Sequence, residues 1–155
     1  MSPRAKHEAP KEVMQLLDNV NIFSSVAVYL QIENSVRFAI AAGKLTAGDQ
    51  LPSVRELSER LEVNPNTVAK AYRDLEVMGL LYTRRGMGVF IQKSIDDKCR
   101  ADVSREMMGR VFEVICEAKA SGLKDKDIQA IVKKCLGESV APYSPLPKGV
   151  QDWLK

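Results

Sequence analysis

The sequence predicts a mostly α fold with one small β-hairpin, and three observations predict it. Apolar residues recur at spacings of three and four in stretch after stretch, as one face of a helix requires. Two of these stretches follow each other closely, and each opens on its own capping signal. Directly after the second, two β-prone segments flank Arg84-Arg85-Gly86-Met87-Gly88, a basic tip with turn glycines.

The elements follow in order. Residues 1–10 hold two prolines and alternating charges and are expected to be loosely ordered. Residues 12–20 place Val13, Leu16, Leu17 and Val20 at helical spacing, a short amphipathic helix. Residues 29–42 carry Leu30, Ile32, Val36, Ala39 and Ile40 on one wide apolar face, with Phe38 to the side. Gly43 ends that helix, because a glycine just past the last turn accepts the left-handed conformation. Ala47-Gly48-Asp49 is a turn, and Leu51 is the first buried anchor after it.

Ser53 with Glu56 three residues on is a capping box, and Val54, Leu57 and Leu61 form the inward stripe of the helix it starts. Asn64 caps the next helix. Pro65 stands at its first position, where no amide donor is lost. Val68, Ala71, Tyr72, Leu75 and Met78 are expected to point inward, and Gly79 stops the helix. Asn66, Thr67, Lys70 and Arg73 lie on or beside the outward face. Two short helices joined by about three residues, the second opening on polar side chains, describe a helix-turn-helix, whose second helix suits a DNA major groove. The hairpin of residues 80–83 and 89–92 with its arginine tip is then a wing.

Residues 94–136 read as helical again, with a break at Gly122. Met107, Met108, Val111, Phe112, Val114, Ile115 and Ala118 form one apolar stripe; Ile128, Ile131, Val132, Cys135 and Leu136 form a second. The domain plan is a tail with a short helix over 1–27, a winged helix-turn-helix domain over 28–93, a helical dimerisation segment over 94–137 and an extended tail over 138–155.

The bulk numbers exclude several classes. With 155 residues, 45% hydrophobic and 28% charged, the chain has room for one domain and an appendage of ordinary globular composition. No apolar run approaches the roughly 18 residues that span a bilayer. Arg4, Lys6 and Lys11 are followed by no apolar segment, so no secretory signal is expected, and the chain is placed in the cytoplasm without a membrane partner. A net charge of +3 is only mildly basic, so the placement of charge matters more than its sum. Cys99, Cys116 and Cys135 are odd in number and lack CxxC spacing. They read as small buried apolar residues rather than disulfides. His7 is the one histidine; no metal site, catalytic triad, phosphate loop or cofactor is expected, and hence no enzyme.

Four blocks in order carry a family likeness: Tyr29-Leu30-Gln31-Ile32; Ala47-Gly48-Asp49-Gln50-Leu51-Pro52-Ser53-Val54-Arg55-Glu56-Leu57; Val63-Asn64-Pro65-Asn66-Thr67-Val68-Ala69-Lys70-Ala71-Tyr72-Arg73-Asp74-Leu75-Glu76; and Arg84-Arg85-Gly86-Met87-Gly88-Val89-Phe90. Together they resemble the winged-helix domain of the GntR family of bacterial transcription regulators. The short two-helix segment after it resembles the YtrA-type subfamily. The resemblance implies that Arg55 contacts DNA, that Asn64, Asn66 and Thr67 read bases, and that Lys70 and Arg73 reach bases or phosphates. It also implies that Arg85, Gly86 and Met87 touch the minor groove or backbone.

Several of these residues have a blander reading beside this one. Asn64 is fully explained as a cap. Arg55 sits four residues before Glu59 and could bridge to it on a solvated surface. Arg84 and Arg85 could merely protect a hairpin edge. The stripe at 107–118 could be a core against its own winged domain; the dimer seam is the preferred reading, since operators with two half-sites ask for a two-fold protein. The expected function is a homodimeric, sequence-specific repressor on a palindromic double-stranded DNA operator, with an unidentified small-molecule effector as a further partner. The alternative is a winged-helix module for protein contacts without specific DNA binding.

Overall fold

A computed structural model describes residues 11–95 and 97–137. The expectations for residues 1–10 and 138–155, and for the Cys99 side chain, lie outside the described residues. The order is α1 (Lys11–Leu17), α2 (Val28–Ala41), β1 (Gln50–Leu51), α3 (Val54–Leu61), α4 (Pro65–Val77), β2 (Leu81–Arg84), β3 (Gly88–Ile91), α5 (Asp97–Ala120) and α6 (Asp125–Gly137). No helix of the described residues is long and apolar enough to cross a membrane.

The expected helices form, with corrections at their ends. α1 stops at Leu17, not near Val20, and just past its end Asp18 meets Arg60 of α3 through two hydrogen bonds of 2.8 and 2.5 Å. That guanidinium holds the Asp18 carboxyl below its usual range. Leu30 was expected inside and is partly exposed, at 38%, because Val28 and Tyr29 of the same first turn of α2 are the residues that pack against the core. Met78 was also expected inside and is exposed, because it caps α4 one residue past the last helical turn.

α2 is the central rod, packed by α1, α4 and α5. Ile32, Val36 and Ile40 meet Leu57 of α3, Val68, Ala71 and Leu75 of α4, and Leu81 and Ile91 of the sheet in one core. Val13 and Leu17 of α1 are buried in the same core. Packing on several sides also buries polar residues of α2 that an amphipathic pattern places outside: Gln31, Glu33, Asn34 and Ser35. Gln31 is satisfied by the loop before it, donating to the Asn21 and Val26 carbonyls at 2.9 and 2.7 Å and accepting from the Asn21 amide at 2.8 Å. α2 then ends on Gly43 at φ +70°, with Lys44 and Gly43 amides bonded back to the Ala39 and Ile40 carbonyls.

The sheet has a third strand that the hairpin signal does not announce. The order is β1-β3-β2, all antiparallel, with Leu51 opposite Val89 and Arg84 opposite Gly88. β1 has two residues, too short for any periodicity. It anchors the wing to the residues just before α3.

Candidate nucleic-acid interface

Local chemistry fixes the two-helix unit. The Ser53 hydroxyl accepts from the Glu56 amide at 3.2 Å, and the Glu56 carboxylate accepts from the Ser53 amide at 2.7 Å, so both orphan donors are satisfied. α3 ends at Glu62, which takes the left-handed conformation at φ +54° and reverses the chain within three residues. Asn64 then caps α4, its Oδ1 accepting from the Asn66 amide at 2.8 Å. The buried Tyr72 hydroxyl donates to the Pro52 carbonyl at 2.8 Å and ties α4 to the start of α3. Burial pushes the Tyr72 phenol well above its ordinary range, so it stays a donor.

This geometry leaves the amino end of α4 facing outward. Asn64, Asn66, Lys70 and Arg73 are exposed and Thr67 is half-buried. Short polar side chains at an outward helix end suit base edges and phosphate oxygens, while the Asn66 and Thr67 amides are taken up by the Asn64 side chain and carbonyl. Asn64 makes the cap, so its bland reading is real whatever else its amide group does. Arg55 on α3 is exposed and does bridge Glu59 at 2.8 Å. Lys70 is not a loose side chain: its Nζ lies 2.5 Å from Asp74 Oδ2 and 4.1 Å from the centre of the Tyr29 ring.

The wing tip is built by a tight turn closed by a Met87 amide to Arg84 carbonyl bond of 2.9 Å. Arg84, Arg85, Gly86 and Met87 are all exposed there. Gln50 of β1 braces the tip, donating to the Met87 carbonyl at 3.1 Å. Gly88 has φ +125°, a conformation that strains any side chain, and a Cβ on it would stand 2.8 Å from the Gln50 side-chain nitrogen, which would have to shift. Tyr82 and Phe90 stack at 5.6 Å across the two strands, and Thr83 bonds Glu76 of α4. The Thr83–Glu76 bond ties the base of the wing to α4.

Four residues of this region were missed in the sequence: Gln50, Tyr29, Glu33 and Asp74. Their roles arise from pairing between elements distant in the chain, and no local spacing signals it.

The C-terminal helices form a hairpin. Val103 of α5 is buried against the winged domain, and Arg37 of α2 pairs with Glu106. Beyond that anchor Met108, Val111, Phe112 and Val114 are exposed, while Met107, Ile115 and Ala118 are half-buried. An apolar groove of about 490 Å³ runs between α5 and α6, lined by Phe38, Val111, Val114, Ile128, Ile131 and Val132 among others. Cys116 and Cys135 were expected to be buried and are exposed, because a single layer of two helices leaves half of each helix uncovered.

Residues 28–91 match the family described as "Bacterial regulatory proteins, gntR family". The chain is similar to the "Uncharacterized HTH-type transcriptional regulator YhcF" of Bacillus subtilis (strain 168), 38% identical over 87 residues, 55% of this chain and 72% of that one. It is also similar to the "HTH-type transcriptional repressor YtrA" of the same organism, 32% identical over 111 residues, 72% of this chain and 85% of that one. Among solved structures, a "GntR family transcriptional regulator from Listeria monocytogenes" superposes with a TM-score of 0.57 at 36% identity, covering 72% of this chain and 96% of that one.

Proposed function

The chain belongs to the gntR family of bacterial regulatory proteins and is a DNA-binding transcriptional regulator; from that premise we propose that it is a homodimeric repressor that blocks a promoter by occupying a palindromic operator. It acts where the chromosome is, in the cytoplasm. The observation that carries the reading is the outward amino end of α4, where the Asn66 side chain is exposed and that of Thr67 half-exposed. Asn66 and Thr67 read base edges, Arg55, Lys70 and Arg73 meet the backbone, and Arg85, Gly86 and Met87 at the wing tip touch the adjoining groove.

The second copy covers the α5 stripe and the groove beside it. Four large apolar side chains left in water along one helix favour a partner surface. A two-fold pair would set two α4 helices about one helical turn of DNA apart, or a multiple of it. An effector, if one acts, has the same α5–α6 groove as its available volume, so it would compete with or reshape the seam.

The test is a selection of bound genomic fragments, followed by affinity measurements at several salt concentrations. Lys70→Ala is expected to weaken binding to all sequences and reduce the salt slope by about one ion, while Asn66→Ala relaxes base choice. A wild-type protein that retains no fragment, with Arg55→Ala indistinguishable from it in every assay, would support the protein-contact module instead.

A further inference from the structure

Lys70 is held in a small rung of four side chains between α2 and α4. Tyr29 and Glu33 stand one turn apart on α2; Lys70 and Asp74 stand one turn apart on α4. The Lys70 ammonium lies against both Asp74 and the face of the Tyr29 ring. Behind them Glu33 is only 5% exposed, and its Oε1 has no hydrogen-bond partner. A buried carboxyl group with an unpaired oxygen is costly in its charged form. The nearby charges are few: Arg37 on α2, already paired with Glu106 of α5, which also feels Arg110; and Arg73 on α4, beside Asp74.

We propose that Asp74, backed by the buried Glu33, is a positioning residue that holds Lys70 in the free protein, and that transfer of the Lys70 ammonium to a DNA phosphate is coupled to uptake of one proton by the Glu33–Asp74 pair. The inference rests on the DNA reading above. Its physical basis is charge balance. Lys70 is hydrogen-bonded to Asp74 and acts on Glu33 only through its charge, and when it turns to a phosphate the two carboxyl groups face each other with less compensation. Like charges at close range raise proton affinity. The free protein already leans this way: burial, followed by the Asp74 neighbour, holds Glu33 above the usual carboxylate range, while the Lys70 hydrogen bond holds Asp74 below it. The proton comes from solvent and stays on the pair, and no bond to DNA forms.

The sign follows. The complex binds the proton more tightly than the free protein does. DNA affinity is therefore enhanced at low pH, and the enhancement fades as pH rises through the titration of the pair in the complex. Each pKa unit gained on binding gives up to about a tenfold change in Kd.

The experiment titrates a duplex recovered from the wild-type fragment selection, at constant salt, between about pH 5.5 and pH 7.5. Wild-type affinity is expected to rise about three- to tenfold on acidification beyond the change seen with Glu33→Gln, which keeps the shape and removes the proton site. Asp74→Asn is expected to show the same flattened profile and to bind at least as tightly as wild type at the upper pH. A DNA-free control is Lys70→Met, in which the carboxyl carbon shift of Glu33 should titrate at higher pH than in wild type. Duplex binding with equal pH slopes in wild type and Glu33→Gln overturns the coupling alone, as does an unmoved Glu33 titration in Lys70→Met. A wild-type selection that recovers no fragment at any of these pH values overturns the DNA reading and this coupling with it.

Discussion

Phe112→Ala is the most informative change in the proposed dimer seam. Phe112 is 69% exposed in the single chain, so its removal should cost the winged domain little. In a two-fold pair both copies lose the contact. Full burial of a phenylalanine side chain is worth about 1.5–3 kcal/mol, so covering the 69% left open contributes about 1–2 kcal/mol per copy and about 2–4 kcal/mol per dimer. At about 1.4 kcal/mol per factor of ten, the dimer dissociation constant should rise about 30- to 700-fold. Sedimentation equilibrium over a concentration series reads that constant directly, and far-UV circular dichroism confirms that the helices persist. Operator affinity at low protein concentration should fall with it, because two half-sites are then bound one at a time. A dimer constant unchanged by Phe112→Ala, with the chain still folded, would refute the assignment of this stripe to the seam. So would a wild-type chain that stays monomeric at concentrations that saturate the operator.

Three further outcomes test the frame behind the interface. Tyr72→Phe removes the buried bond to the Pro52 carbonyl and leaves that oxygen unpaired, which should lower unfolding free energy by about 1–3 kcal/mol in urea titration. Gly88→Ala forces a side chain into a left-handed position against Gln50; a cost of about 1–3 kcal/mol is expected in thermal unfolding, together with weaker DNA binding from a displaced wing tip. The Asp18 carboxyl is held below its ordinary range by Arg60, so this contribution to stability is present above the unfolded-state value and is lost as pH falls through the folded-state value. Asp18→Asn should therefore melt at lower temperature than wild type near neutral pH, with the gap closing on acidification; a gap that widens toward low pH would contradict the pairing.

The signals that were legible in the sequence are local ones. Ser53 with Glu56, Asn64 with Pro65, and Gly43 after α2 each act within one turn of chain, and each is found in its expected role. The turn glycines around Met87 place the hairpin for the same reason. What the residues hide is set by neighbours far along the chain. Glu33 sits in a polar stretch of α2 and is buried only because other helices close over it. Leu30 and Met78 fit an apolar stripe by spacing, but each stands at a helix end where the core covers it only in part. β1 is visible only once β3 is there to pair with it. The candidate interface divides the same way: its residues are countable from the motif, while the attachment of Lys70 to Asp74 and Tyr29 is a property of two packed helices.

Methylation interference on a selected operator tests the central claim most directly, since methylation at guanine N7 blocks contacts from the major groove. Two symmetric clusters of interference are expected on one face of the duplex, centred about 10 base pairs apart or a multiple of that, and the Asn66→Ala protein should lose sensitivity at specific positions within each. A single cluster, or a footprint indifferent to N7 methylation, would mean that α4 does not enter the major groove as one of a pair.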